Sequence, residues 1–202
     1  MKLTLYKQFT LASSIIISTL LTFCLAGQAH ANYLLDENAS SLYFLSTKNI
    51  NITETHTFDS ISGTLSASGH LQIDIDLSSV NTLIPIRNER MQNMLFNVSE
   101  HATATYTANV DKALLTHPVG TAKRVTVEGD LTISGISQKV SFEVLIVRLN
   151  NGNISATTLK PTVLNAAQFD LGTGIEALRE IAKLAQISST IPLTFSIEFT
   201  KQ

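Results

Sequence analysis

The chain has 202 residues, of which 44% are hydrophobic and 15% charged, and its formal net charge at pH 7 is −2. This near-balanced charge gives no basic footprint and so argues against a nucleic-acid partner. The single cysteine, Cys24, excludes a disulfide within the chain, so a hydrophobic core has to stabilise the fold.

The N-terminus has the pattern of a secretory signal peptide. Lys2 and Lys7 precede an uncharged apolar run that ends in an Ala-His-Ala triplet. We expect cleavage to remove residues 1–31 and to leave residues 32–202 as one domain. Because two lysines and no acidic residue are lost, the net charge then becomes −4. A retained membrane anchor is the alternative, since the run approaches the ~20 residues that span a bilayer. Export predicts the bacterial periplasm as the compartment.

The first three predicted elements are β-strands over residues 33–47, 53–65 and 69–78. In the third, Leu71 and Ile73 alternate with polar residues, which is the period of a strand with one buried face. The stretch that follows, from residue 86, has no strict alternation and mixes charges with large apolar side chains. From the residues alone it is a catalytic loop, a phosphate clamp or the plug of a barrel.

Five more strands are predicted, over residues 102–111, 123–134, 138–149, 153–164 and 190–200. Asn-Gly at 151–152 has the composition of a type I′ hairpin turn between two of them.

One amphipathic helix is predicted before the last strand. Ile175, Leu178 and Ile181 recur at helical spacing on one face. Thr173 and Glu176 have the spacing of an N-terminal capping box. Eight antiparallel strands with one such helix predict an all-β fold, either a closed up-and-down barrel or a two-sheet sandwich.

Catalytic and metal-binding patterns are weak in this sequence. A G-x-S-x-G nucleophile elbow is absent, and His56, His70, His101 and His117 show no metal-ligand spacing. We interpret the four histidines as mostly solvent-facing and expect no metal, no cofactor and no enzymatic activity. The aromatic residues form a core in a filled sandwich or line a ligand cavity in a wide barrel, so a binding protein is favoured.

Three segments of the chain resemble the YceI-like family, whose members are exported lipocalin-type barrels associated with polyisoprenoid binding. The first contains Arg87-Asn88-Glu89-Arg90-Met91 and Phe96, followed by His101-Ala102-Thr103-Ala104-Thr105-Tyr106; the second is Val127-Glu128-Gly129-Asp130-Leu131-Thr132-Ile133-Ser134-Gly135 with Val140. The third, residues 165–172 leading into the predicted helix, is like a helix-bearing subgroup. The chain departs from the family at Asn88 and Arg90, where members often carry Asp and His.

The resemblance implies an eight-stranded lipocalin-like barrel with the stretch from residue 86 as a crossover at one end. It implies that Met91, Leu95 and Phe96 face the cavity and that Arg87 and Arg90 lie at its rim, where they contact a phosphate or bond only to backbone carbonyls. The cavity and rim candidates are Phe44, Phe58, Arg87, Arg90, Met91, Leu95, Phe96, Tyr106, Phe142, Phe169 and Leu178.

The implied function is a soluble periplasmic carrier of one isoprenoid lipid, a quinone or a polyprenyl phosphate. One alternative is an enzyme acting on a lipid-like substrate, with a buried polar cluster that includes His101 or Asp170. The other is a β-sandwich interaction module without a ligand. A homodimer and transient membrane contact are compatible with each hypothesis.

Overall fold

The computed structural model describes residues 31–202, so the predicted signal peptide lies outside the described residues except for Ala31. The strands are β1 Ala31–Leu35, β2 Ser41–Lys48, β3 Ile52–Phe58, β4 Ile61–Ser66, β5 His70–Asp76, β6 Val80–Asn81, β7 Thr103–Asn109, β8 Ala122–Ile133, β9 Ile136–Arg148, β10 Ile154–Thr158, β11 Thr162–Asn165 and β12 Thr190–Lys201. The helices are α1 Pro85–Arg90, α2 Ala113–Thr116 and α3 Gly172–Ile181, and a π-helical turn, Met91–Phe96, follows α1 directly.

Eight of the strands form a closed antiparallel ring. The order β1-β4-β5-β7-β8-β9-β10-β12 returns to its start, because β1 pairs with both β4 and β12. Tyr33 lies opposite Leu65 in one pairing and opposite Lys201 in the other. A closed ring leaves no unpaired edge among these eight strands. The lipocalin-like barrel is therefore confirmed, and the two-sheet sandwich is wrong.

The other four strands extend members of this ring. β2 and β11 both pair with β12, β3 pairs with β2, and β6 pairs with β3. Three predicted strands, 33–47, 53–65 and 153–164, are each interrupted, so that one predicted strand corresponds to two observed ones. The first break is a 3₁₀ turn, which Asp36 caps by accepting the N–H groups of Asn38 and Ala39.

Helix α3 is the amphipathic helix predicted before the last strand, but its capping box does not form. Leu171 is the N-cap residue and makes no side-chain cap, and Thr173 lies inside the helix. The Glu176 carboxylate instead accepts a hydrogen bond from Arg179 Nε at 2.8 Å, three residues along the same helix. No helix within residues 31–202 combines the length and the hydropathy that crossing a membrane requires.

The predicted type I′ turn at 151–152 is wrong. Gly152 has a φ of 86°, but Asn151 does not have positive φ, and residues 149–153 form a longer connection. The two-residue turn occurs between β8 and β9 instead, where Ser134 and Gly135 have φ values of 50° and 77°. Positive φ at both central positions matches the twist of the paired strands.

The connections divide between two ends of the barrel. We call the end with residues 49–51, 82–102, 134–135 and 166–189 the helical end, because it carries α1, the π-helical turn and α3. Helix α2 lies at the opposite end, between β7 and β8. The inward faces of the strands supply side chains such as Phe44 and Phe142 to a hydrophobic core, and Phe169, of which 1% is exposed, joins this core from the 3₁₀ helix Ala166–Phe169 after β11.

Candidate ligand-binding cavity

A cavity of ≈ 450 Å³ lies inside the helical end of the barrel. Its wall is mainly aliphatic and aromatic, from the inner faces of β2, β3 and β12 and from the α1, π-helical and α3 segments. Nine of the eleven candidate side chains line it, namely Phe44, Phe58, Arg87, Arg90, Met91, Leu95, Phe96, Phe169 and Leu178. Contact of these side chains with a ligand stays a prediction.

A second cavity of ≈ 110 Å³ lies deeper in the barrel, and the remaining two candidates, Tyr106 and Phe142, line it. Their rings meet edge to face with centroids 5.2 Å apart. The two cavities share Leu42, Leu131 and other side chains in their walls, so side chains rather than backbone separate them.

Tyr106 is the aromatic residue of the smaller cavity that carries a hydroxyl. This hydroxyl lies 3.2 Å from the carbonyl oxygens of both Val127 and Val140, to which it can donate. Burial, with smaller contributions from nearby carboxylates, raises the pKa of Tyr106, so the hydroxyl stays neutral. A Cβ at position 129 would lie 2.6 Å from the Tyr106 ring, so the missing side chain of Gly129 makes room for the ring. The Tyr106 hydroxyl therefore has its hydrogen-bond acceptors within the barrel wall.

The roof of the larger cavity is fixed by short polar contacts and one close backbone approach. Pro85 begins α1, where its missing N–H is no loss. Asn88 Oδ1 accepts the backbone N–H of Thr82 at 2.9 Å, which ties the start of the crossover, residues 82–102 in the structure, to α1. A Cβ at Gly174 would lie 2.8 Å from the Cα of Leu95, so α3 packs directly on the π-helical turn.

Charged side chains enter the wall of the larger cavity near the hairpin of β2 and β3. Glu54 Oε2 lies 2.6 Å from Lys48 Nζ and 2.8 Å from Arg87 Nη1. The hydrogen bond from Lys48, helped by the charges of both cations, holds the pKa of Glu54 below its usual value. Arg87 Nη2 also donates to the carbonyl of Thr82 at 2.7 Å. Arg87 thus donates a hydrogen bond to a backbone carbonyl, which was one of the two predicted roles, and it also forms an ion pair with Glu54.

Arg90 differs from Arg87 in its contacts. It is half-buried and lines the same cavity, yet within residues 31–202 its guanidinium makes no hydrogen bond or ion pair. A guanidinium has five N–H donors that match phosphate or carbonyl oxygens. Arg90 is therefore the cationic side chain of the cavity wall that is available to a ligand head group.

The prediction of mostly solvent-facing histidines is wrong for His56 and His117. Only 3% of His56 and 4% of His117 are exposed. His56 lies in the wall of the larger cavity, where its Nε2 is 2.8 Å from Ser46 Oγ. Burial, and then the charge of Arg87, lowers the pKa of His56, so its ring is neutral near pH 7.

His117 has a structural place at the opposite end. Its Nδ1 lies 2.7 Å from the carbonyl of Leu114 and its Nε2 lies 3.1 Å from that of Thr121. These contacts connect α2 to the start of β8.

Two nitrogen atoms beside the larger cavity, His56 Nδ1 and Arg87 Nε, have no hydrogen-bond partner in the part of the chain that the structure describes. Both atoms are themselves buried under protein atoms, so a ligand reaches them only if the side chains move. The two groups that the enzyme hypothesis singled out lie elsewhere, because neither His101 nor Asp170 lines either cavity. Within the described part of the chain, no three His, Cys, Asp or Glu residues are placed to hold a metal ion.

The sequence analysis missed Ser46, Lys48, Glu54 and His56 as cavity residues. A signal for them was present, because Phe44 is a candidate on β2 and its strand alternation continues through Ser46 and Lys48. The same alternation on β3 runs back from Phe58 through His56 and Glu54. Polar residues at inward positions near a barrel mouth were the pattern to follow.

Comparison with known proteins gives a family and several similar folds. The family model of the YceI-like domain matches residues 33–199. A solved polyisoprenoid binding domain from Saccharophagus degradans, described as implicated in plant cell wall breakdown, is 37% identical with a TM-score of 0.82, and the match covers 85% of this chain and 99% of that chain. A search of the curated proteins found no match.

Two more distant structures share the fold. Burkholderia cenocepacia BcnA is 20% identical with a TM-score of 0.65, and the match covers 82% of this chain and 99% of that chain. A Campylobacter jejuni YCEI protein is 18% identical with a TM-score of 0.52, and the match covers 73% of this chain and 85% of that chain.

Proposed function

Because the chain belongs to the YceI-like family, we propose that it is a periplasmic carrier that holds one long-chain isoprenoid lipid, a quinone or a polyprenyl phosphate, in its barrel. The observation that carries this proposal is the larger cavity. Its volume of ≈ 450 Å³ lies within the roughly 300–1,000 Å³ of small-molecule sites, and its wall is mainly apolar with a few polar groups at one side.

Burial of an apolar chain supplies the binding free energy. Each CH₂ group removed from water contributes about 0.8 kcal/mol before the cost of ordering the ligand. The smaller cavity extends the apolar path, because Leu42, Ile75, Leu131 and Leu193 belong to both walls. Rotation of such side chains would let the far end of a long chain enter it.

The polar side of the cavity is the place for the ligand head group. Lys48 and Arg87 are partly neutralised by Glu54, and His56 is neutral, whereas Arg90 keeps its full charge and its donors. A quinone carbonyl and a phosphate oxygen both accept hydrogen bonds from a guanidinium, and the phosphate gains more because it is charged.

A carrier role is supported further by a similar protein and by the sequence. The Saccharophagus degradans structure is named as a polyisoprenoid binding domain. The name describes binding and no reaction, which supports a carrier over an enzyme. The signal-peptide pattern of residues 1–31 supports the periplasm as the compartment.

The experiment that tests this function is native mass spectrometry of the protein purified from its own periplasm, combined with organic extraction of the bound material. We expect one isoprenoid lipid per chain, and the intact mass shows whether residues 1–31 have been removed. Delipidated protein is then incubated with a quinone and with a polyprenyl phosphate. A mass free of lipid both before and after this incubation would contradict the carrier function.

A further inference from the structure

The two most exposed large apolar side chains of the described residues lie at the helical end. Leu83 is 86% exposed and Ile50 is 84% exposed, and about half of each of three further side chains is exposed. We call Ile50, Leu83, Ile84, Ile86 and Ile181 together the apolar rim. Single exposed apolar residues are ordinary, but a group around one opening marks an interaction surface.

Three different segments bring the apolar rim together. The tip of the β2–β3 hairpin, next to Ile50, is bonded to the segment after α3, because the N–H of Asn49 donates to the carbonyl of Gln186 at 3.0 Å. The crossover that carries Leu83 is held to the same hairpin by the ion pair of Arg87 with Glu54. The hairpin tip, the crossover and the end of α3 therefore lie side by side.

The apolar rim continues into the larger cavity. Ile84, Ile86 and Ile181 line this cavity although each is about half-exposed, so the cavity meets solvent between them. Ile50 and Leu83 lie outside the cavity wall and extend the same apolar surface outward. Whatever covers the rim is thus in direct contact with the cavity mouth.

We infer that the apolar rim docks on the surface of a lipid bilayer, with Ile50 and Leu83 inserted among the lipids and the cavity mouth held against the membrane. This inference rests on the proposed function, since an isoprenoid resides in a bilayer and has to pass between bilayer and cavity. Docking through this rim lets the lipid chain enter an apolar path without crossing water.

The backbone at the two outermost residues fits an external apolar contact. Ile50 has a φ of 74° and Leu83 a φ of 62°, in the left-handed region that bulky and β-branched residues rarely adopt. Glycine or asparagine suits such positions better. In the free protein these two side chains gain almost no burial that would offset the strain, whereas insertion into a bilayer buries them.

Charges around the mouth are nearly balanced, which decides how the rim binds. On the three segments that carry the rim, residues 48–54, 83–90 and 172–184, the basic groups are Lys48, Arg87, Arg90, Arg179 and Lys183, and the acidic groups are Glu54, Glu89, Glu176 and Glu180. Several of them are paired with each other. Apolar insertion and not charge therefore dominates the attraction, so docking depends little on salt or on anionic lipid.

Co-sedimentation with vesicles tests the inference on the exported protein, after its intact mass has verified that the apolar residues 1–31 are absent. The vesicles are phosphatidylcholine alone and phosphatidylcholine with phosphatidylglycerol, each at low salt and at 0.5 M NaCl, an ionic strength that screens surface charge. The test variant is Ile50→Asn with Leu83→Asn, because asparagine accepts positive φ and the cavity wall is untouched. The matched control is Val119→Asn, at an exposed apolar residue of the opposite end.

We expect the double variant to bind vesicles at least about tenfold more weakly than the unchanged protein and than Val119→Asn, since two aliphatic side chains that the bilayer would bury are lost. We expect salt and anionic lipid to change binding less than twofold. Equal binding of the double variant and the control, or no binding of the unchanged protein, would overturn the inference. A rim-dependent dimer in analytical ultracentrifugation would also overturn it and would assign the rim to a second copy.

A lipid-binding arm separates this inference from the proposed function. The double variant should take up a quinone added from ethanol as well as the unchanged protein does, but should take it up from vesicles more slowly. If the double variant took up the quinone from ethanol and from vesicles as fast as the unchanged protein, docking would be overturned and the carrier function would stand. No uptake by the unchanged protein from either source, with a polyprenyl phosphate as well as with a quinone, would overturn both.

Discussion

Arg87 and Glu54 join the crossover to the β2–β3 hairpin, with Nη1 of the arginine 2.8 Å from Oε2 of the glutamate. Lys48 approaches the same carboxylate at 2.6 Å, so one acidic group holds two cations at the cavity mouth. The contact links residues 33 positions apart in the chain. It fixes the roof over a cavity whose wall is otherwise mainly apolar.

The stabilisation by Glu54 should depend on pH. Because the pKa of Glu54 in the folded protein is below its ordinary value of 4.5, its contribution is fully present above that value and is lost as pH falls through the lowered pKa. We expect Glu54→Gln to lower the free energy of unfolding by about 1 kcal/mol or less at pH 7, since the group is partly exposed. Urea unfolding curves at pH 7 and at pH values below the lowered pKa should show this difference shrinking in acid.

Asp130→Asn is the matched control for Glu54→Gln. Asp130 pairs with Lys139 on the outer surface, where the lysine side chain is 79% exposed and the aspartate side chain 46% exposed. An equal loss of stability in both variants at pH 7 would show that the Glu54 cluster contributes no more than a surface ion pair.

Gly174 should be sensitive to substitution because α3 packs closely on the π-helical turn. A Cβ at this position would lie 2.6 Å from the carbonyl oxygen of Met94, and backbone cannot move aside as a flexible side chain can. We expect Gly174→Ala to lower the free energy of unfolding by about 1–3 kcal/mol, measured by urea unfolding. Gly172→Ala, where a Cβ meets nothing within 4 Å, should be neutral or slightly stabilising. Similar results for both alanines would contradict the close packing.

Arg90 should distinguish between the two proposed head groups. Its guanidinium lines the cavity without a partner among residues 31–202, so a phosphate would gain a charge-assisted hydrogen bond from it. We expect Arg90→Gln to weaken binding of a polyprenyl phosphate about tenfold and to change quinone binding by less than threefold, measured by titration of delipidated protein. Arg124→Gln, at an exposed position of β8, is the control. An equal loss for both ligands would mean that Arg90 acts on the cavity shape.

Ala104 should control how much room the ligand has. Only 3% of this residue is exposed, and its side chain lines the larger cavity from β7. We expect Ala104→Phe to fill part of the cavity and to reduce the lipid bound per chain at least severalfold, measured by extraction and mass spectrometry. Circular dichroism and a thermal unfolding curve verify the fold. Ala102→Phe, at an exposed position two residues earlier, should keep full binding, and full binding by Ala104→Phe would place the ligand elsewhere.

Strand alternation predicted an all-β antiparallel fold, and the family resemblance then singled out the barrel, but neither predicted the course of the individual strands. Residues 33–47 alternate well enough to read as one strand, yet Asp36 caps the backbone of the next residues and breaks it. In the same way, Asn151-Gly152 has hairpin composition, but the register of β9 with β10 requires a longer connection. Such breaks depend on tertiary pairing, which a local pattern does not contain.

The candidate site was predicted unevenly for a similar reason. Aromatic candidates such as Phe44 and Phe58 were found because apolar side chains at inward positions mark a core or a cavity. His56 was assigned to solvent because a histidine on its own carries no sign of burial. His56 lies two residues before Phe58 on β3, so both side chains point to the same face of the strand, the inside of the barrel. This spacing predicts the burial of His56 only once the strand is known to curve around a cavity.

The pairing of the first strand with the last sets the time at which this protein can finish folding. Tyr33, Leu34 and Leu35 pair with residues 199–201, so the ring lacks its closing seam until residues 199–201 have been synthesised. Contacts this far apart in sequence form slowly, because a long loop has to close first. A nascent chain therefore keeps the ring open until that point, which would suit the export that we propose from the pattern of residues 1–31.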